Sequence, residues 1–202
     1  MERHRSVWLE LDRRPEMLTP RAVVLHVAPE RVLGNRLRAI PGAEYHGGDL
    51  TAEFGPERID VTNLRFPDQS VDILVCNHVL EHVPDDREAM DEIHRVLKPD
   101  GWALLLVPDL EGDSVSQTTD EDPSITDPAE RLRRFGQDDH VRRYGWDYLD
   151  RLREAGFEPE VIRPESQFGT AAVERYRLAK HGAVEPLIFC RPAAGSDAER
   201  VE

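Results

Sequence analysis

The densest group of side chains capable of chemistry lies at residues 77–82, with the sequence NHVLEH. Histidine exchanges protons near neutral pH, and carboxylate and amide oxygens accept hydrogen bonds. The apolar run at residues 71–76 directly precedes this group and is typical of a buried strand. Because ligands bind beyond the carboxyl ends of the strands in an open parallel sheet, Asn77 and His78 are predicted to lie in a ligand site.

His78, Glu81 and His82 also fit the H-x-x-E-H pattern of zinc-dependent proteases. That chemistry requires both histidines on one face of a continuous helix and a third metal ligand downstream. Here the pattern follows a strand end and Pro84 comes directly afterwards, so a protease is disfavoured and no metal site is predicted. A simpler alternative is that Glu81 and His82 only cap and orient the next helix.

A longer motif surrounds this group, the run FPDQSVDILVCNHVLEHVPDDREAMDEIHRVLKPDGWALLLVP at residues 66–108. It closely resembles the segment between the fourth and fifth strands of the class I S-adenosylmethionine-dependent methyltransferases. The resemblance implies that Asn77 and His78 line the methionine end of the cofactor and that His82 lies near the substrate. Three further motifs resemble a bacterial and archaeal, methyltransferase type 11-like subgroup: ERHR at 2–5, HVAPE at 26–30 and FGQDDHVRRYG at 135–145.

The HVAPE turn departs from the family pattern. Class I methyltransferases usually have an acidic residue and a glycine-rich loop here, since glycine lets the backbone approach the cofactor closely. His26 stands in the place of the acid, Ala28 in that of the first glycine and Glu30 in that of a later one. The resemblance implies that all three contact the cofactor, with Glu30 bonding its amino or sulfonium group. A helix N-terminus with Pro29 in its first turn and Glu30 on the helix dipole predicts the same sequence.

Two aspartates follow at the spacing that the family uses for the rest of its cofactor. The resemblance implies that Asp49, beside Leu50, binds the ribose hydroxyls, because a carboxylate can accept two hydrogen bonds from a diol. It likewise implies that Asp60 receives the adenine amino group, with Val61 and Thr62 alongside the ring. The alternative for each aspartate is that of a turn former.

The run FGQDDHVRRYG is too rich in functional side chains for a simple linker, and it falls in a long polar segment, residues 108–144. This segment is interpreted as a lid or insertion over the site. His140 is the candidate general base, oriented by Asp139, and Arg142 or Arg143 is a candidate for holding an acidic substrate. The alternative is that these charged pairs only attach the segment to its own domain.

The elements that position these residues alternate between apolar runs and amphipathic helical stretches, which is typical of a doubly wound α/β sheet with helices on both faces. The family implies about seven strands, mostly parallel with an antiparallel last strand. Strands are predicted at residues 22–27, 43–46, 58–60, 71–76, 102–107, 157–162 and 185–190, and helices at 31–40, 86–97 and 145–155. Residues 1–192 are expected to form one methyltransferase-like domain, and residues 193–202 a flexible tail.

The composition disfavours nucleic acid and membrane as partners. A net charge of -14 disfavours stable binding to nucleic acid, and the longest apolar run is far shorter than a membrane span. No secretory signal pattern is present, so a cytoplasmic location is expected. Cys76 and Cys190 both lie in apolar runs and are expected to be buried free thiols rather than metal ligands.

The expected function is therefore transfer of a methyl group from S-adenosylmethionine to oxygen, nitrogen or carbon of a small molecule. The altered HVAPE turn favours an alternative, a catalytically inactive module that binds the cofactor or a protein partner. The acceptor and the oligomeric state are not predicted, since one fold supports many functions.

Overall fold

The computed structural model describes residues 2–53, 55–110, 115–179 and 182–194. Its main sheet has seven strands in the order β3-β2-β1-β4-β5-β9-β8. The first five of these pair in parallel, and β9 runs antiparallel to both of its neighbours. The predicted class, a doubly wound sheet of about seven mostly parallel strands, is confirmed.

Nine strands are present in the described residues, two of them in a separate hairpin. Their bounds are β1 Val23–Val27, β2 Glu44–Asp49, β3 Glu57–Arg58, β4 Val71–Asn77, β5 Leu97–Leu106, β6 Asp120–Glu121, β7 Arg142–Arg143, β8 Phe157–Ile162 and β9 Leu187–Pro192. This hairpin consists of β6 and β7, which pair antiparallel and are joined by residues 122–141, a long connection that includes a helix. Residues Leu74, Val75 and Cys76 of the central β4 are fully buried, as expected for a strand covered on both faces.

Seven α-helices flank the strands in the described part of the chain. Their bounds are α1 Glu2–Arg13, α2 Arg31–Arg38, α3 Asp86–Val96, α4 Pro128–Phe135, α5 Tyr148–Glu154, α6 Pro164–Phe168 and α7 Thr170–Tyr176. The sequence determines where α3 begins, because the Asp85 carboxylate accepts a hydrogen bond from the Glu88 amide and so caps the first turn. None of these helices combines the length and the apolar composition that crossing a membrane requires.

The structure corrects three sequence predictions. The fifth strand begins at Leu97 and not at residue 102, with a register shift in its pairing with β4. Residues 108–144 are partly regular, because α4 and the β6–β7 hairpin lie within them. The helix α1 and the pair α6 and α7 had no predicted counterpart. Of the predicted tail, residues 195–202 lie outside the described part of the chain.

Candidate active site

A cleft of about 530 Å³ opens beyond the carboxyl ends of β1 and β2. We call it the strand-end cleft. Because β1 pairs with β2 on one side and β4 on the other, this is the place where the strand order reverses, the usual ligand site of such sheets. The cleft brings together seven of the residues predicted to bind cofactor: Ala28, Asp49, Leu50, Asp60, Val61, Thr62 and His78.

The two aspartates of the cleft also organise its loops. Asp49 Oδ1 accepts from the Glu53 amide at 2.9 Å. Asp60 Oδ1 accepts from the amide of Thr62 at 3.0 Å and from its hydroxyl at 2.7 Å. Each carboxylate is therefore oriented by a local turn while lining the cleft, so the turn-former and ligand interpretations are compatible.

Ala28 occupies a position whose backbone conformation favours glycine. Its φ is +48°, in the left-handed region, and its amide donates to the Gly48 carbonyl at 2.8 Å. A side chain in this region costs about 1–2 kcal/mol relative to the right-handed conformation. The loop therefore has the turn that a glycine would form without strain, and with alanine this turn is strained.

Three other predicted cofactor residues, His26, Glu30 and Asn77, form a buried cluster beside the cleft without lining it. His26 Nε2 donates to Glu30 Oε2 at 2.8 Å, and Asn77 Nδ2 donates to Glu30 Oε1 at 3.3 Å. His4 of α1 also donates to Glu30 Oε1, at 3.2 Å, and Arg3 Nε lies 3.8 Å from the same oxygen. Glu30 is thus already bonded on both oxygens by the protein itself.

The electrostatics of this cluster favour the charged carboxylate. Burial opposes the ionised form of Glu30, but the hydrogen bonds from His26 and His4 outweigh it, so that the Glu30 pKa is well below its usual value. Asn77 Oδ1 is buried and has no hydrogen-bond partner among the described residues. An acceptor atom therefore remains available at the end of β4.

A second cavity, of about 650 Å³, lies on the other side of residues 79–82, which we call the VLEH segment. We call it the histidine cavity, because His78, His82 and His140 are among its lining residues. His78 and His82 also line the strand-end cleft, so these two side chains separate the two spaces. A ligand in one space is thus adjacent to a ligand in the other, which is the arrangement a two-substrate transfer requires.

The histidines of this cavity are oriented by different partners. His140 is 2% exposed, and its Nδ1 lies 3.1 Å from the Phe135 carbonyl; since a carbonyl only accepts, Nδ1 donates. Burial, with His82 nearby, lowers the His140 pKa. Asp139 does not orient His140 as predicted: its Oδ2 lies 3.1 Å from Nδ1 of His82. His82 and His140 pack edge to face with their ring centres 4.7 Å apart.

Glu81 lies near His82 and His140 and is 1% exposed. Burial raises the pKa of its carboxyl to about 7, although nearby His78 acts in the opposite direction. His78 has a second acidic neighbour that the sequence did not indicate. This is Glu185, whose Oε1 lies 2.6 Å from His78 Nε2. No local pattern could have shown this pair, because 107 positions separate the two residues.

Arg142 is structural rather than substrate-facing. It is 4% exposed, and its guanidinium donates to the carbonyls of Leu80, Val83 and Pro84 and to the Glu121 carboxylate. These bonds hold the β6–β7 hairpin against the VLEH segment. Its neighbour Arg143 is more exposed and pairs with Asp109.

Comparison with known proteins agrees with this architecture. Residues 37–105, about a third of the chain, match the family described as a methyltransferase domain. The chain is 31% identical over 139 residues to 27-O-demethylrifamycin SV methyltransferase of Amycolatopsis mediterranei, covering 65% of this chain and 47% of that protein. It is 38% identical over 80 residues to the uncharacterized methyltransferase YcgJ of Bacillus subtilis, covering 40% and 28%. These matches span about a quarter to a half of the relatives' lengths.

A solved structure shows the same fold. The S-adenosylmethionine-dependent methyltransferase from Mesorhizobium loti superimposes with a TM-score of 0.57 at 20% identity, covering 88% of this chain and 96% of that one. The strand order and the cleft at its switch point define a Rossmann-like fold, of the kind that methyltransferases have. Residues 37–105 are therefore similar to a methyltransferase domain, and the sheet has the fold of a solved S-adenosylmethionine-dependent methyltransferase.

Proposed function

We propose that this protein transfers a methyl group from S-adenosylmethionine to an oxygen, nitrogen or carbon atom of a small molecule held in the histidine cavity. The observation that carries the proposal is the pair of adjoining spaces separated by His78 and His82. The strand-end cleft is assigned to the cofactor and the histidine cavity to the acceptor. The net charge of -14 favours a small-molecule acceptor over nucleic acid, and we assign the reaction to the cytoplasm.

The residues present fit the cofactor. The left-handed turn at Ala28 retains the loop conformation that glycine usually provides, and the unpartnered Asn77 Oδ1 is an acceptor of the kind an amino group requires. Asp49 would accept hydrogen bonds from the ribose hydroxyls, and Asp60, with Val61 and Thr62, would hold the adenine. S-adenosylmethionine, when bound, supplies an electrophilic methyl group on a sulfonium ion.

The protein's own contribution to the transfer is positioning and proton handling. His140 keeps its proton on Nδ1, which leaves the lone pair on Nε2 directed away from the Phe135 carbonyl. His82 has Nδ1 beside Asp139, which can hold its ring in one orientation. These two imidazoles are the groups that would accept a hydrogen bond or a proton from the acceptor.

One observation favours the second candidate, a catalytically inactive methyltransferase-like binding module. Glu30 is engaged by His4, His26 and Asn77 at the loop where the family has glycine. If those bonds are not exchanged when a ligand enters, they would hinder binding of the methionine end of the cofactor.

Calorimetric titration with S-adenosylmethionine and, separately, with S-adenosylhomocysteine tests the proposal. Micromolar binding of at least one of them is expected. Absence of heat with both ligands at millimolar concentration would reject the cofactor assignment and favour the inactive module. Asp49→Ala is expected to weaken binding, and unchanged affinity in that variant would reject the ribose assignment.

A further inference from the structure

Three potential metal ligands converge on the histidine cavity from two separate segments. Glu81 and His82 belong to the short 3-10 helix Leu80–His82, and His140 precedes β7. The Val141 amide donates to the Glu81 carbonyl at 2.9 Å, which joins the two segments at this point. One ligand atom from each of Glu81, His82 and His140 lies within 4.8 Å of the other two.

Two of the three side chains have buried polar atoms without a hydrogen-bond partner. His140 Nε2 and Glu81 Oε2 are both buried and both unpartnered among the described residues. Buried polar atoms are normally satisfied, because an unmade bond costs about 1–3 kcal/mol. Two such atoms in one cluster indicate that a further group completes the cluster.

One nitrogen of each ring has a partner of the kind found in metal sites. A metal-bound histidine usually donates its other ring N–H to a carbonyl or a carboxylate, which fixes the ring and directs the lone pair at the metal. His140 Nδ1 donates to the Phe135 carbonyl, and His82 Nδ1 lies 3.1 Å from the Asp139 carboxylate. Both imidazoles therefore have a partner of the expected kind behind them.

We propose that Glu81, His82 and His140 bind a divalent transition-metal cation of the Zn²⁺ type in the wall of the histidine cavity. Two imidazoles and one carboxylate suit such cations, and zinc sites with three protein ligands keep a fourth position open. Bond lengths of about 2.0–2.2 Å require the three ligand atoms to approach to about 3.4 Å of one another. From 4.8 Å this is a small side-chain adjustment.

This ligand set differs from the H-x-x-E-H pattern in the sequence. His78 is not part of this cluster of potential ligands, and its Nε2 is instead bonded to Glu185 Oε1 at 2.6 Å. His140 takes its place, and Glu81 is a ligand rather than a base. The spacing of the pattern therefore does not lead to a protease site.

The open position of the cation faces a space large enough for a small molecule, about 650 Å³. An oxygen donor of the ligand, such as a hydroxyl or a carboxylate, would bind there. With the cation bound, the lone pairs of both imidazoles would be on the metal, so the cation and not the imidazoles would act on the donor group of the acceptor. This role in acceptor binding rests on the proposed function, whereas the cation site itself does not.

Titration of chelator-treated protein with Zn²⁺ by calorimetry, and with Co²⁺ by visible absorption, tests the site. One equivalent is expected to bind, with affinity at least about tenfold lower in His82→Ala and in His140→Ala. His46→Ala is the matched control, since His46 also lies among carboxylates, those of Glu44 and Glu57, and its substitution should leave binding unchanged.

Two results would overturn the proposal: no stoichiometric binding by the native protein, or equal affinity in His82→Ala. The His82 side chain is one-third exposed, so this variant is expected to fold even if the buried His140→Ala variant does not. The outcome is separable from that of the proposed function. Cation binding that depends on His82 would stand even if S-adenosylmethionine did not bind, and the reverse also holds.

Discussion

At the scale of single residues, Asp60 has two assigned roles: it forms a turn with Thr62, and it is proposed to bind the adenine of the cofactor. Its Oδ1 bonds the amide and hydroxyl of Thr62, and Asp122 makes the same turn with Ser124, at 3.0 and 2.6 Å. Asp60→Ala is expected to weaken S-adenosylhomocysteine binding at least about tenfold, the effect of losing one hydrogen bond to a charged group. Calorimetry measures this change.

Asp122→Ala is the control for that prediction, because Asp122 is not among the residues that line the strand-end cleft. It removes an equivalent turn and should leave cofactor affinity unchanged. Equal losses of affinity in the two variants would indicate a general effect of removing such a turn and would reject the assignment of Asp60 to the cofactor.

Glu30 gives a prediction about pH and stability. Its folded-state pKa is depressed below the unfolded value of about 4.3, because the hydrogen bonds of His26 and His4 outweigh the effect of burial, with Arg3 also facing it. A carboxyl group with a depressed folded-state pKa stabilises the fold at pH values above its unfolded-state pKa. This stabilisation is lost as the pH falls towards the folded-state pKa. The free energy of unfolding of Glu30→Gln is expected to be about 1–2 kcal/mol lower than that of the native protein at pH 7.

The difference between the native protein and Glu30→Gln should shrink as the pH falls below about 4. Urea unfolding followed by circular dichroism at several pH values measures it. A difference that stays constant from neutral to acidic pH would show that the charge of Glu30 does not stabilise the fold.

At the scale of elements, the hairpin within residues 108–144 is held by Arg142. Arg142→Ala would leave the carbonyls of Leu80, Val83 and Pro84 without this donor and Glu121 without one of its cationic partners. A loss of about 3 kcal/mol in the free energy of unfolding is expected, typical of breaking a buried pair. The adjacent Arg143→Ala should change it by no more than about 0.5 kcal/mol.

Chemical denaturation of both variants checks this prediction. Similar, small losses in the two would contradict the assignment of Arg142 as the anchor of the hairpin. They would also reopen its earlier interpretation as a group that holds an acidic substrate.

How well each element could be predicted follows from how apolar its buried face is. The central strands were located from the sequence because continuous apolar runs such as residues 71–76 have few alternatives. The helix α1 was missed because it buries His4, Ser6 and Glu10 together with Val7 and Leu11. A mixed buried face leaves almost no apolar periodicity to detect.

The candidate site was predictable to the extent that its residues follow strands. The seven predicted residues that line the strand-end cleft stand at or near strand ends, and strand ends can be found from the sequence. The pairing of His78 with Glu185 and of His82 with Asp139 depends on contacts between distant segments. Such contacts leave no periodic signal, which is why His140 was assigned the wrong orienting partner.

At the scale of the whole molecule, the sheet order places two cavities on either side of one short segment. The strand-end cleft is lined by seven of the predicted cofactor residues, and the histidine cavity by His78, His82 and His140. His78 and His82 are common to both, so an acceptor would lie next to the cofactor without any further domain. This geometry is the basis of the proposed function.

The measurement that tests it most directly is the change in backbone amide NMR shifts when S-adenosylhomocysteine saturates the isotopically labelled protein. The largest shifts are expected at Ala28, Leu50, Thr62 and His78, which line the strand-end cleft. Shifts confined to residues outside the cleft, or none at millimolar ligand, would contradict the assignment of the cleft as the cofactor site.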